Sequence, residues 1–205
     1  MLHLMKQAYL DVKRPVHWIV WMVVLIVLST LYPTDPAAYV HDPDHVPGVV
    51  VHVMDHYGRF INTALQIALP LVYRDPVGIA ELAYVAVATT AATHGLKYVV
   101  NDWHVDGIRL GQRPSGEGSR HNMPSGHSSM ASCAVYFVCR RYGMRFAWIM
   151  VPVLALTMYA RVALEAHTVS AVICGALIGL LMAAIFTSRY VARANDPGTL
   201  APAAT

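Results

Sequence analysis

Residues 168–188 read TVSAVICGALIGLLMAAIFTS, a run without a single charge. A helix needs about 20 mostly apolar residues to cross a hydrocarbon core roughly 30 Å thick, so this segment predicts a membrane span. The rest of the chain leans the same way. Of its 205 residues, 56% are hydrophobic and 13% charged, whereas soluble domains carry about a quarter charged residues. Mean hydropathy is +0.45. Moving toward the N-terminus, further apolar stretches stand at 146–164, 128–139, 77–100, 60–73 and 17–32. The stretch 60–73 is short and carries Pro70; 128–139 is short and polar at its start, and is included because consistent sidedness needs it. The expected fold is all-α: a polytopic bundle of six transmembrane helices, one membrane-embedded domain over 1–205, ending in a disordered tail at 194–205. The first residues lack a signal peptide's charged-then-apolar layout and cleavage site, so the first apolar run is expected to stay as an anchor.

Basic residues orient the bundle, because cytoplasmic loops are enriched in Lys and Arg. Lys6, Lys13 and Arg14 precede the first span, and Arg74 lies between the second and third. Arg140, Arg141 and Arg145 lie between the fourth and fifth, while Arg189 and Arg193 follow the sixth. Six spans put all of these on one side, with both termini cytoplasmic. The external loop 33–58 has no Lys or Arg, and its stretch HVPGVVVHVMDHYGRF is a candidate to lie along the interface. A net charge of +3, from scattered basic residues, gives no nucleic-acid footprint. Cys133, Cys139 and Cys174 sit in apolar runs, without disulfide or metal-ligand spacing.

Beyond Arg59, the basic residues Lys97, Arg109, Arg113, Arg120 and Arg161 fall on the external side, against the sidedness rule. Charge at the margin of apolar spans marks a functional candidate, with snorkelling to headgroups as the plain alternative. Four of them lie in or beside KYVVNDWHVDGIRLGQRPSGEGSRHNMPSGHSS, residues 97–129, and Pro124-Ser125-Gly126-His127 stands where the fourth helix begins. A helix N-terminus attracts an oxyanion. Gly126 lets the backbone come close, Ser125 adds a hydroxyl, and His127 can exchange a proton near neutral pH. Arg161 and His167 arrive on the same face just before the last span. Two histidines, several cations and two helix starts converging on one membrane face make a phosphate site with an acid and a nucleophile. His17, His41, His45, His52, His56, His94, His104 and His121 lack such company, and no role is assigned to them.

These motifs resemble the type 2 phosphatidic acid phosphatase superfamily of membrane lipid phosphatases. Its signature is Lys, six residues, Arg-Pro; then Pro-Ser-Gly-His; then Arg, five residues, His, three residues, Asp. The second part is intact at Pro124–His127, and the third is present as Arg161 and His167. The family's Lys position before Arg113-Pro114 holds Asp106; Lys97 fits if Trp103 to Gly111 are an insertion, and Arg109 is the rival cation. The family's Asp is Ala171 here, with Glu165 and Ser170 as nearby replacements to orient His167.

The resemblance implies a cofactor-free enzyme without metal. His167 attacks phosphorus and carries a phosphohistidine, and His127 protonates the leaving oxygen. Lys97, Arg113, Arg161, Ser125 and the Gly126 amide hold the phosphoryl oxygens. The implied substrate is a lipid phosphate monoester or diphosphate, with lipid A phosphate and undecaprenyl diphosphate favoured. It is met at the outer face of a bacterial cytoplasmic membrane; the expected partners are this lipid substrate and the bilayer, with no nucleic acid, and the oligomeric state is left open. A lipid-to-lipid phosphotransferase and a non-catalytic protein binding anionic headgroups are the alternatives. Restoring the family residue by Ala171→Asp is expected to be tolerated provided the carboxylate escapes burial.

Overall fold

Residues 16–39 and 47–190, with His3 and Lys6, are described by a computed structural model of the chain. The expected tail at 194–205 and the orienting residues Lys13, Arg14 and Arg193 lie outside them. Among the described residues the chain forms seven α-helices and one β-hairpin. They are α1 (Val16–Leu31), α2 (Val49–His56), α3 (Ile61–Val72), α4 (Pro76–Val99), β1 (His104–Val105), β2 (Ile108–Arg109), α5 (Gly126–Tyr142), α6 (Ala147–Ala163) and α7 (Val169–Phe186). Each of the apolar stretches read from the sequence is a helix, and α2 is an additional short one in the loop 33–58. Among the described residues, three helical segments are long and apolar enough to cross a membrane: Pro76–Val99, Met144–Ala163 and Val169–Phe186, while Val16–Leu31 is apolar but shorter. The outward faces carry Trp21, Leu28, Leu71, Val87, Trp148 and Tyr159 in the open, a surface that lipid suits better than water.

Local chemistry sets the helix starts. Asp75 caps α4 by accepting the Gly78 amide at 2.9 Å, with Pro76 in the first turn. Ser125 caps α5 and Thr168 caps α7, each accepting from the amide three residues on. Gly143, at φ 115°, ends α5 in a backbone conformation that side-chain-bearing residues rarely adopt.

The centre of the bundle is the pair α5 and α7. Ala171, Gly175, Gly179 and Ala183 recur every fourth residue on α7 and are buried or glycine. A Cβ on Gly175 would overlap the Ser125 carbonyl, and one on Gly179 would overlap Ser132 and Ser129. Small residues at this spacing let two backbones touch, the usual way helices associate in lipid. Contact is close enough for the Ser125 amide to donate to the Ala171 carbonyl at 2.9 Å. The short helix α2 docks Val51 and Met54 against Val153 and Ala160 of α6, which brings its polar end to the same end of the bundle as Ser125 and Thr168.

At the opposite end a buried ion cluster ties three elements together. Arg141 of α5 makes a two-pronged contact with Asp75, at 2.5 and 2.8 Å, and a further bond to Glu81 of α4 at 2.9 Å. Its guanidinium also reaches the Ser188 hydroxyl beyond α7, whose amide donates to Glu81. Cys133, Cys139 and Cys174 are free and buried.

Arg141→Leu leaves Asp75 and Glu81 buried without their cation. Breaking such a pair costs roughly 3–5 kcal/mol, so the variant should lose that much against unfolding in detergent micelles, followed by circular dichroism. A loss below about 1 kcal/mol, the ceiling for an exposed pair, would mean that the cluster is not a clamp.

Candidate active site

Between α4 and α5 the chain makes the excursion that decides which cation reaches the site. β1 and β2 pair antiparallel, His104 opposite Arg109 and Val105 opposite Ile108. Asp106 and Gly107, at φ 49° and 78°, form the tight turn. The stem closes where Leu110 donates to the Trp103 carbonyl at 2.8 Å and Gly111 to the Asn101 carbonyl at 3.1 Å. Residues 103–111 are therefore a self-contained hairpin, the form an insertion takes. Arg109 spends its guanidinium on the Glu117 and Ser119 carbonyls, and Arg120 faces Asp102. Lys97 instead reaches a cavity of about 960 Å³ that Arg113, Arg161, Gly126, His127 and His167 also line.

Within that cavity Lys97 Nζ donates to the His121 carbonyl at 3.1 Å, and Arg113 reaches the same oxygen at 3.5 Å. His167 is 3% exposed. Its Nδ1 lies 2.7 Å from the Asn122 carbonyl. A carbonyl only accepts, so Nδ1 carries the proton and Nε2 keeps its lone pair. Asn122 is itself clamped to the start of α7: its Oδ1 accepts from the Thr168 amide at 3.0 Å, and its Nδ2 donates to Thr168 Oγ1 at 3.1 Å. The place of the family's Asp is thus taken by a backbone carbonyl. Ser170 is engaged with the Thr34 and Thr168 hydroxyls. Glu165 shapes the turn before His167, at φ 53°, and its carbonyl accepts from the Ser115 amide. Ala171 is fully buried among Val100, Leu110, Met123, Cys174 and Ile178. An Asp there would be dry, so the condition set for restoring the family residue is not met.

Ser125 departs from the sequence reading in place. Its hydroxyl caps α5 and bonds Ser128 at 3.1 Å in the closed contact with α7, and it is not among the residues lining the cavity. Gly126 and His127, the first two residues of the helix, do line it.

The sequence reading missed Arg59 and Asp55. Arg59 follows α2, and its Nη1 donates to His127 Nε2 at 2.9 Å. Asp55 pairs with Arg161 and stands 3.6 Å from Arg59. A signal was present: Arg59 breaks the sidedness rule as Arg161 does, with an acid four residues earlier in the chain. Asn122 gave no signal, because any residue can offer a carbonyl.

The charge balance is that of an anion site. Nε of Arg59, Arg113 and Arg161 is buried without a hydrogen-bond partner among the described residues, and an oxyanion's oxygens would supply acceptors. Burial, then the fields of Lys97 and Arg161, drive the His167 pKa down to about 2. His127 stands just ahead of the segment read as a span from residue 128. Burial, Arg161 and Arg59 lower it to about 4, with Asp55 opposing. In this field both imidazoles are neutral at pH 7. A bound dianion reverses the local field and raises both values. Among the described residues no group of three or more His, Cys, Asp and Glu comes together to hold a metal.

The chain belongs to the PAP2 superfamily, whose family model matches residues 78–195. It is 44% identical over 140 residues to the lipid A 1-phosphatase of Helicobacter pylori strain ATCC 700392 / 26695, across 68% of this chain and 73% of that protein. The lipid A 1-phosphatase of strain J99 is 44% identical over 141 residues, covering 68% and 72%. The lipid A 4'-phosphatase of strain J99 is 39% identical over 122 residues, covering 58% of this chain and 61% of that protein. No solved structure matches the chain. Family and relatives together make this protein a phosphatase.

Sulfate carries no titrating proton near neutrality and serves as a clean probe. Because a bound dianion raises the His127 pKa from about 4, binding should take up a proton once the raised value passes the working pH. Titration calorimetry in buffers of different ionisation heat should show uptake that grows from pH 7 to pH 5, with affinity rising as pH falls. Affinity and heat independent of pH and buffer would contradict this electrostatic picture.

Proposed function

We propose that this protein hydrolyses a phosphate of lipid A at the outer face of a bacterial cytoplasmic membrane, through a phosphohistidine on His167. The observation that carries the reading is His167 itself. Its Nδ1 is tied to the Asn122 carbonyl, which leaves Nε2 with the lone pair, and the residue lines a cavity together with Lys97, Arg113, Arg161 and His127. The relatives' activity on lipid A supports the choice of lipid.

The reaction has two displacements. In the first, the Nε2 lone pair of His167 attacks phosphorus and the bond from phosphorus to the lipid oxygen breaks. That oxygen takes a proton from His127, which the dianionic substrate has helped to charge. In the second, water attacks the phosphohistidine, gives its proton to His127 and releases inorganic phosphate. Lys97, Arg113 and Arg161 neutralise the phosphoryl oxygens, the main task in phosphoryl transfer. Arg161 must exchange Asp55 for phosphate, and Asp55 then has Arg59 as its remaining partner. That exchange draws Arg59 off His127 Nε2, so the acid is released as substrate arrives. No step calls for a metal.

Phosphate release from purified protein and lipid A in micelles is the direct test. His167→Ala and His127→Ala should fall near background. Lys97→Ala should lose about a hundredfold or more in kcat/KM, while Arg109→Ala, held in the hairpin, should stay within about threefold. The reverse order of Lys97 and Arg109 would contradict the assignment, and full turnover in His167→Ala would remove the nucleophile.

The six helices α1, α3, α4, α5, α6 and α7 are proposed as spans with both termini cytoplasmic, supported by the asymmetry of the basic residues. A cysteine introduced by Ser115→Cys should then react with a membrane-impermeant maleimide in intact spheroplasts. Labelling only after lysis would reverse the orientation.

A further inference from the structure

The cavity continues past the phosphate site. It runs between α3, α4 and α5, lined next by Thr93, Ser129, Thr89, Gln66 and Thr63. Beyond those it turns apolar, along Ala83, Leu82 and Ile79. Lys97, Thr93 and Thr89 are spaced by four along one face of α4. At 1.5 Å per residue they sit about 6 Å apart in depth. A polar strip therefore extends roughly 12 Å below the cation before the hydrocarbon-like part begins.

Threonines in membrane helices ordinarily satisfy themselves by donating back to the carbonyl four residues earlier. Thr30 does so to Ile26, and Thr157 to Val153, each at 2.8 Å. Thr93 donates across the helix contact to Ser129 at 2.9 Å. The buried Thr63 oxygen does none of this and has no hydrogen-bond partner among the described residues, and the Thr89 oxygen has only the Cys133 thiol beside it, without ordinary hydrogen-bond geometry. Thr89 is 5% exposed and Gln66 4%. The Gln66 amide meets Cys133 Sγ at 4.0 Å, and a thiol sulfur is a weak acceptor. Polar groups left this way in a membrane interior cost free energy, unless a ligand completes them.

We infer that this strip is a second subsite, which receives the linkage atoms of an acylated lipid: the ester or amide carbonyls, and chain hydroxyls, that lie several bonds below its phosphate. Gln66 Nε2 and the Thr89 and Thr63 hydroxyls donate to those oxygens, and the chains run on along the apolar wall. A prenyl chain has only carbon and hydrogen at that depth and would leave Thr63 unmet and Thr89 and Gln66 with only the weakly accepting Cys133 thiol. The subsite thus selects acylated over polyprenyl phosphates by the penalty of unanswered polar groups. It rests on the lipid-phosphatase reading above and specifies which lipid class that site takes.

The test uses full-length protein in defined micelles, with lipid A, a polyprenyl monophosphate and a water-soluble aryl phosphate as substrates. Thr89→Val and Gln66→Leu remove the donors with little change of shape. Wild type should prefer lipid A to polyprenyl phosphate by about tenfold or more in kcat/KM. In the double variant the ratio of lipid A to aryl phosphate should fall about tenfold or more, while the ratio of polyprenyl to aryl phosphate holds or rises. Equal losses on all three substrates, as a purely structural role would give, would overturn the subsite, as would an unchanged lipid A ratio. Phosphate release from the aryl compound and from neither lipid would instead remove the lipid-phosphatase reading, and the subsite with it.

Discussion

A side chain at Gly175 would run into the carbonyl of Ser125, and the same holds for Gly179 against Ser132 and Ser129. The resulting backbone contact between α5 and α7 is the constraint on which the phosphate end of the molecule depends. It sets two helix starts side by side, so that the Ser125 amide can reach the Ala171 carbonyl. The residues before each start are fixed with them. Asn122, just upstream of α5, locks onto Thr168 at the start of α7, and its carbonyl then holds His167. His127, on the first turn of α5, follows from the same placement. Spread the two helices by one methyl group and the two histidines lose their shared frame.

Much of this could be read from the chain. The apolar periods located the helices, including α3 despite its Pro70 and α5 despite its serines. Of the basic residues set against the sidedness rule, Lys97, Arg113 and Arg161 line the cavity, while Arg109 and Arg120 are engaged within the loop. The motif spacing picked Lys97 over Arg109 only under the assumption of an insertion, and the hairpin from Trp103 to Gly111 has the form that assumption requires.

What stayed hidden had physical reasons. The group that fixes His167 is a main-chain oxygen, and side-chain patterns cannot announce it. Ser125 reads as a phosphate ligand because hydroxyls at helix starts often are; in the structure its oxygen accepts from Ser128 in the first turn of α5, and the residue is buried outside the cavity lining. Asp55 stands in the last turn of a short helix, which Arg59 closely follows and whose valines favour an interfacial reading. Its inner face docks on α6 while Val49, Val50 and Val53 remain exposed. The clamp of Arg141 with Asp75 and Glu81 was hidden too: Arg141 was read as an orienting cytoplasmic charge, and burial among carboxylates leaves no mark in sequence. The clamp occupies the far end of α5, and the proposed phosphate site its first turn.

The proposed chemistry turns on one bond, between phosphorus and Nε2 of His167, and trapping it is the most direct test. Protein mixed with phosphorus-32-labelled lipid A and quenched in alkali within milliseconds should carry label that survives base and is lost in mild acid, as a phosphoramidate does. Peptide mapping should place that label on His167, and the His127→Ala protein, slowed in proton transfer, should retain the dependence on His167. Label that is stable to acid, or that maps to a serine or persists in His167→Ala, would contradict the phosphohistidine mechanism.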